Sequence, residues 1–139
     1  MRSLSIPAPL PCEKNSPTVL IIDDTPMVIF SLSRMLLPLC SVKVSRDGDE
    51  GLKLAEENEI ALILLDLYMP EISGFEVLRR LKENKKTRNI PVVLISGSQD
   101  AEDEQQGYSL GATGFIKKPF DEKEVPMRIA KYIFRRGTT

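Results

Sequence analysis

From Thr18 onward the chain alternates between two apolar patterns. Short strand-like runs occupy Thr18 to Ile22, Ser41 to Ser45, Ile60 to Leu65, Pro91 to Ile95 and Thr113 to Lys117. The third is apolar at every position, as a central strand covered on both faces should be. The second sets Val42 and Val44 on one side with Lys43 pointing outward, the mark of an edge strand. Between them the spacing turns helical. Pro26 to about Leu37 aligns Ile29, Leu32 and Leu36, with Pro26 in the first turn and Pro38 closing the helix. Asp47-Gly48 opens a polar helix ending near Asn58, and after a loop containing Pro70 and Gly74 a helix through about Asn84 aligns Val77, Leu78 and Leu81. Gln99 to Leu110 has a weak apolar face, and Gly107 costs its helix about 1 kcal/mol relative to Ala. A last helix, Glu122 to Arg135, aligns Val125, Ile129 and Ile133, with Pro126 tolerated in its first turn.

Strands alternating with helices imply parallel βαβ units with right-handed crossovers. The predicted fold is α/β, a flavodoxin-like (βα)5 doubly wound parallel sheet of strand order 2-1-3-4-5. Residues 1–17, with Pro7, Pro9, Pro11 and Pro17, read as a flexible Pro-rich leader. Residues 18–136 form the domain and 137–139 a tail.

The composition narrows the chemistry. A chain of 139 residues with 42% hydrophobic residues and a net charge of -1 is one ordinary globular domain, with no basic surplus for nucleic acid. No signal peptide and no apolar run near the roughly 20 residues of a membrane span is present, so a cytoplasmic location without membrane contact is expected. Cys12 and Cys40 read as idle or buried thiols. The absence of histidine removes imidazole ligands and histidine acid/base chemistry.

Four of the apolar runs end in polar residues suited to chemistry: Asp23-Asp24, Asp66, Ser96 and Lys117-Lys118. The C-terminal ends of parallel strands share one rim, so these side chains are expected in one crevice. Asp23 and Asp24 taken alone could simply cap a helix. With Asp66 beside them, three like charges repel unless a cation offsets them. All-oxygen ligands favour Mg²⁺, with Mn²⁺ as an alternative. A carboxylate held beside such a cation can attack phosphorus, and Ser96 and Lys118 can receive the phosphoryl oxygens.

In kind and spacing these residues closely resemble the receiver domain of two-component response regulators, over about Thr18 to Arg135. Asp23-Asp24 resembles the family's acidic pair, Asp24 binding the metal directly and Asp23 mainly through water. Asp66, in Asp66-Leu67-Tyr68-Met69-Pro70 with Gly74 following, resembles the phosphoacceptor and its loop, and the Tyr68 carbonyl would be a further metal ligand. Ser96 stands thirty residues after Asp66, where the family has Thr or Ser. Lys118 before Pro119-Phe120 resembles the family lysine, and Phe115 the switch aromatic.

The resemblance implies that a sensor histidine kinase or histidine phosphotransfer protein phosphorylates Asp66. Ser96 would then move toward the phosphate and Phe115 turn inward, changing the surface of the fourth helix, fifth strand and fifth helix for an output domain or target protein. Phosphorylation-dependent homodimers fit the same reading. The chain would catalyse its own phosphorylation and dephosphorylation without being a conventional turnover enzyme. Two departures stand out: Gly97 follows Ser96 where Ala is common, and the Tyr68 ring is bulky enough to shade the phosphoryl group from water. The alternative is a receiver-like interaction module that works without phosphorylation. Acidic Glu102, Asp103 and Glu104, and basic Arg128, Lys131, Arg135 and Arg136, read as solvated helix faces.

Overall fold

The computed structural model describes residues 16–97 and 100–134; the expected leader up to residue 15, Gln99, Arg135, Arg136 and the tail lie outside them. The elements alternate without exception: β1 Thr18–Ile22, α1 Pro26–Leu36, β2 Ser41–Ser45, α2 Gly48–Glu57, β3 Leu62–Asp66, α3 Gly74–Glu83, β4 Val92–Ser96, α4 Ala101–Ser109, β5 Gly114–Lys117 and α5 Glu124–Phe134. All strand pairs are parallel, in the order β2-β1-β3-β4-β5. This is the topology expected from the sequence.

Each strand's period of two divides its residues between two cores. Val19, Ile21, Leu62, Leu64, Val93 and Ile95 face Leu32 and Leu36 of α1 and Val125 and Ile129 of α5. Leu20, Ile22, Ile63, Leu65, Val92 and Leu94 face Ala55 of α2 and Val77, Leu78 and Leu81 of α3. A strand between two cores has no polar side, which is why β3 and β4 are buried at every residue. Edge strand β2 is open enough to expose Val44 as well as Lys43.

Local chemistry moves some boundaries. β3 starts at Leu62, two residues later than expected, although Ala61 already donates its N–H to the Thr18 carbonyl at 2.8 Å as the chain enters the sheet. α5 starts at Glu124, two residues later than expected, because Asp121 Oδ1 accepts from the N–H groups of Lys123 (2.8 Å) and Glu124 (3.1 Å). α4 packs by its backbone: a Cβ on Gly107 would stand 2.4 Å from Leu94 Cδ1. The glycine that weakens this helix therefore also lets it approach the sheet.

Candidate functional site

β1 delivers Asp23 and Asp24 to the rim directly after Ile22. The carboxylate of Asp23 is fully buried, and its Oδ1 accepts the Thr25 N–H at 2.8 Å. Helix α1 has Thr25 as its N-cap residue, without a side-chain cap bond, so neither aspartate is a helix cap. Central strand β3, paired to β1 and β4, ends in Asp66, which is only 4% exposed. Asp23, Asp24 and Asp66 each bring a carboxylate oxygen within 4.8 Å of the others. The expected acidic cluster is therefore formed.

Lys118 Nζ lies 3.7 Å from Asp66 Oδ1. Its backbone N–H donates to the Ser96 carbonyl at 2.9 Å, which ties the end of β5 to the end of β4. Ser96 closes β4, buried, beside the strand that carries Asp66. The Lys118–Pro119 peptide bond is cis. Tyr68 turns its N–H toward Asp66 Oδ1 at 3.5 Å, a long contact, while the residue as a whole is 57% exposed.

The electrostatics follow from this crowding. Burial, then the neighbouring charge of Asp23, pushes the Asp66 carboxyl up to about 6, against the opposing pull of Lys118 and the Tyr68 N–H. Burial likewise raises Asp23, with the charge of Asp24 adding to it. Among the described residues, Asp23 Oδ2 is a buried oxygen without a hydrogen-bond partner. A buried orphan acceptor beside two further carboxylates fits a hard divalent cation, which takes oxygen ligands and cancels the repulsion.

Phe115 is 5% exposed and packed in the core beneath α4, close to Gly107 and Leu94. In this structure it already faces inward. On the surface above it, Arg128 Nη2 donates to the Phe115 carbonyl at 3.2 Å and Lys117 Nζ stands 4.0 Å from Glu104.

Sequence reasoning missed three features near the rim. Arg46 Nη2 reaches the Asp24 carbonyl at 3.5 Å from the loop after β2. Glu71 adopts a left-handed backbone with φ 72° in the loop after Asp66, a conformation uncommon outside glycine. The Tyr68 hydroxyl donates to Asp103 on α4, thirty-five residues away. No local spacing could have announced that last contact, and Asp103 read only as part of a solvated acidic run.

Comparison with known proteins agrees with this arrangement. The family model described as the response regulator receiver domain matches residues 19–130. A probable cyclic di-GMP phosphodiesterase of Vibrio cholerae is 41% identical over 73% of this chain and 23% of its own length. The DNA-binding dual master transcriptional regulator RpaA of Synechocystis is 36% identical over 86% of this chain and 50% of its own. Histidine kinase P4 of Formosa agariphila is 35% identical over 89% of this chain and 9% of its own. The chain thus spans half or less of the length of these curated relatives. Among solved structures, the V. cholerae chemotaxis protein CheY4 has a TM-score of 0.79 at 25% identity, covering 84% of this chain and 98% of that one. A Pseudomonas aeruginosa sensor histidine kinase receiver domain, with magnesium coordinated in its active site cleft, has a TM-score of 0.78 at 22% identity, covering 85% and 98%. By the span of the family match and by its fold, the chain belongs to the response regulator receiver domain family of two-component signalling.

Proposed function

We propose that Asp66 is the phosphoacceptor of this receiver and that phosphorylation is Mg²⁺-dependent. The observation that carries the reading is the convergence of three carboxylates at one rim, with Lys118 Nζ 3.7 Å from Asp66. Asp66 Oδ attacks the phosphorus of a phosphohistidine, an O–P bond forms, the P–N bond breaks, and the imidazole nitrogen leaves with the electron pair. Asp24, Asp66 and the Tyr68 carbonyl would hold the cation directly and Asp23 mainly through water. When bound, Mg²⁺ neutralises charge on the carboxylates and the incoming phosphoryl oxygens. Lys118 pairs with a phosphoryl oxygen and Ser96 donates to another. An ionised Asp66 needs no general base, because it is already the nucleophile.

The donor is a sensor histidine kinase or a histidine phosphotransfer protein. Exposed Met27 and Phe30 on α1, beside a groove of about 480 Å³ reaching Lys118 and Phe120, support a protein donor resting on this rim. The phosphorylated form would act through the surface of α4, β5 and α5, with Ser96 and Phe115 as its switch residues. The inward position of Phe115 supports an arrangement near that end state.

The test is incubation with Mg²⁺ and a small acyl phosphate, read by intact mass. Wild type gains one phosphoryl group and Asp66→Asn gains none. Uptake by neither protein, or equally by both, overturns the reading and favours the phosphorylation-independent interaction module.

A further inference from the structure

The Tyr68 side chain joins the loop after β3 to helix α4, two segments that phosphoryl chemistry alone does not require to be joined. Its backbone sits two residues after Asp66, with the N–H turned to the Asp66 carboxylate. Its hydroxyl donates to the carboxylate of Asp103, in the first turn of α4. β3 and β4 are neighbours in the sheet, so the side chain reaches from the loop after β3 to the first turn of the helix that follows β4. We propose that Asp103 is a positioning residue that holds the Tyr68 ring in this place, so that the lifetime of phosphorylated Asp66 depends on where α4 sits.

Three observations support the tie. Tyr68 is mostly exposed, so little packing fixes its rotamer, and a charge-assisted O–H to carboxylate bond becomes its main restraint. Asp103 is anchored from below, its N–H donating to Asp100 as α4 begins. Gly107 is the only residue of α4 that is buried, so the helix can shift at low cost in packing. A shift of α4 carries Asp103 away, frees the ring and opens the rim to water. A partner seated on α4 therefore alters phosphate loss without touching Asp66, and by linkage phosphorylation alters the affinity of that partner.

The inference rests on the phosphoacceptor reading of Asp66, and the experiment separates the two. Wild type, Tyr68→Phe, Asp103→Ala, Asp103→Asn and the double variant Tyr68→Phe/Asp103→Ala are phosphorylated with an acyl phosphate and Mg²⁺. The donor is removed and decay is followed by intact mass. A net hydrogen bond of this kind is worth a rate factor of about three to ten. Tyr68→Phe and Asp103→Ala should each speed decay by that factor, and the double variant should be no faster than the faster single one. Asp103→Asn keeps an acceptor oxygen and should retain most of the wild-type lifetime, which a merely destabilised α4 would not explain. Normal uptake with equal decay in all five proteins, or effects that multiply in the double variant, overturns the tie alone. Failure of wild type to take up phosphate overturns the tie together with the phosphoacceptor reading.

Discussion

At the scale of single residues, the site is defined by a carboxylate kept where it resists ionising. Asp66 has an ordinary value of 3.8 and is raised to about 6 in the fold, so the folded chain holds this proton more tightly than the unfolded chain does. The stability contributed by the protonated form is complete below about pH 4 and is lost as the pH rises through about 6. The melting temperature of metal-free protein should therefore fall across that window. Asp66→Asn should flatten the fall and raise the metal-free melting temperature at pH 7 by a few degrees. A metal-free profile that is the same for both proteins from pH 4 to 7 would show that Asp66 is not strained. The acids and the lysine were legible in the sequence because each follows an apolar run that could only be a buried strand. The Tyr68–Asp103 bond was not, because thirty-five residues separate its partners and only the stacking of β3 beside β4 brings them together.

At the scale of elements, the segment that holds Asp66 is set by contact between backbones. The N–H of Gly74, which opens α3, donates to the Leu67 carbonyl at 2.7 Å. A Cβ there would lie 2.3 Å from the Asp66 carbonyl oxygen and 2.7 Å from Leu67 Cα. Backbone atoms cannot rotate out of the way, so helix or loop must move. Gly74→Ala should cost about 2 kcal/mol in urea unfolding and slow phosphate uptake, because it displaces the residue after the nucleophile. Wild-type stability together with wild-type uptake would contradict this packing. Periodicity sufficed for the elements with an apolar stripe, which has to face a core, while α4, with its weak apolar face, followed from the alternation of strands and helices. Periodicity did not locate the start of α5, where a side-chain oxygen of Asp121 takes up the free N–H groups. Nor did it explain Gly107, whose reason lies on the sheet at Leu94.

At the scale of the whole molecule, two cores clamp one sheet and leave its carboxyl-end rim as the place where unlike loops meet. Two strands of that sheet, β1 and β3, bring together carboxylates whose repulsion opposes folding, with Asp23 and Asp66 buried among them. A cation bound only by the folded rim stabilises the entire chain, by about 2.7 kcal/mol at a concentration one hundred times its dissociation constant. Mg²⁺ should thus raise the melting temperature at pH 7, and Asp24→Asn should lose most of the increase. A rise of equal size in both proteins would place the ion elsewhere. The sequence by itself determined the order of strands and helices, the two-sided burial of the sheet and the rim on which Asp23, Asp24, Asp66, Ser96 and Lys118 lie. Those features follow from local periodicity and from the handedness of parallel crossovers, both of which act over a few tens of residues. Only the tertiary structure decided that Asp23 keeps a buried oxygen without a partner among the described residues, that Phe115 lies inward beneath Gly107, and that Tyr68 reaches Asp103. Each of these depends on the distance between elements far apart in the chain, which packing sets and no run of neighbouring residues encodes.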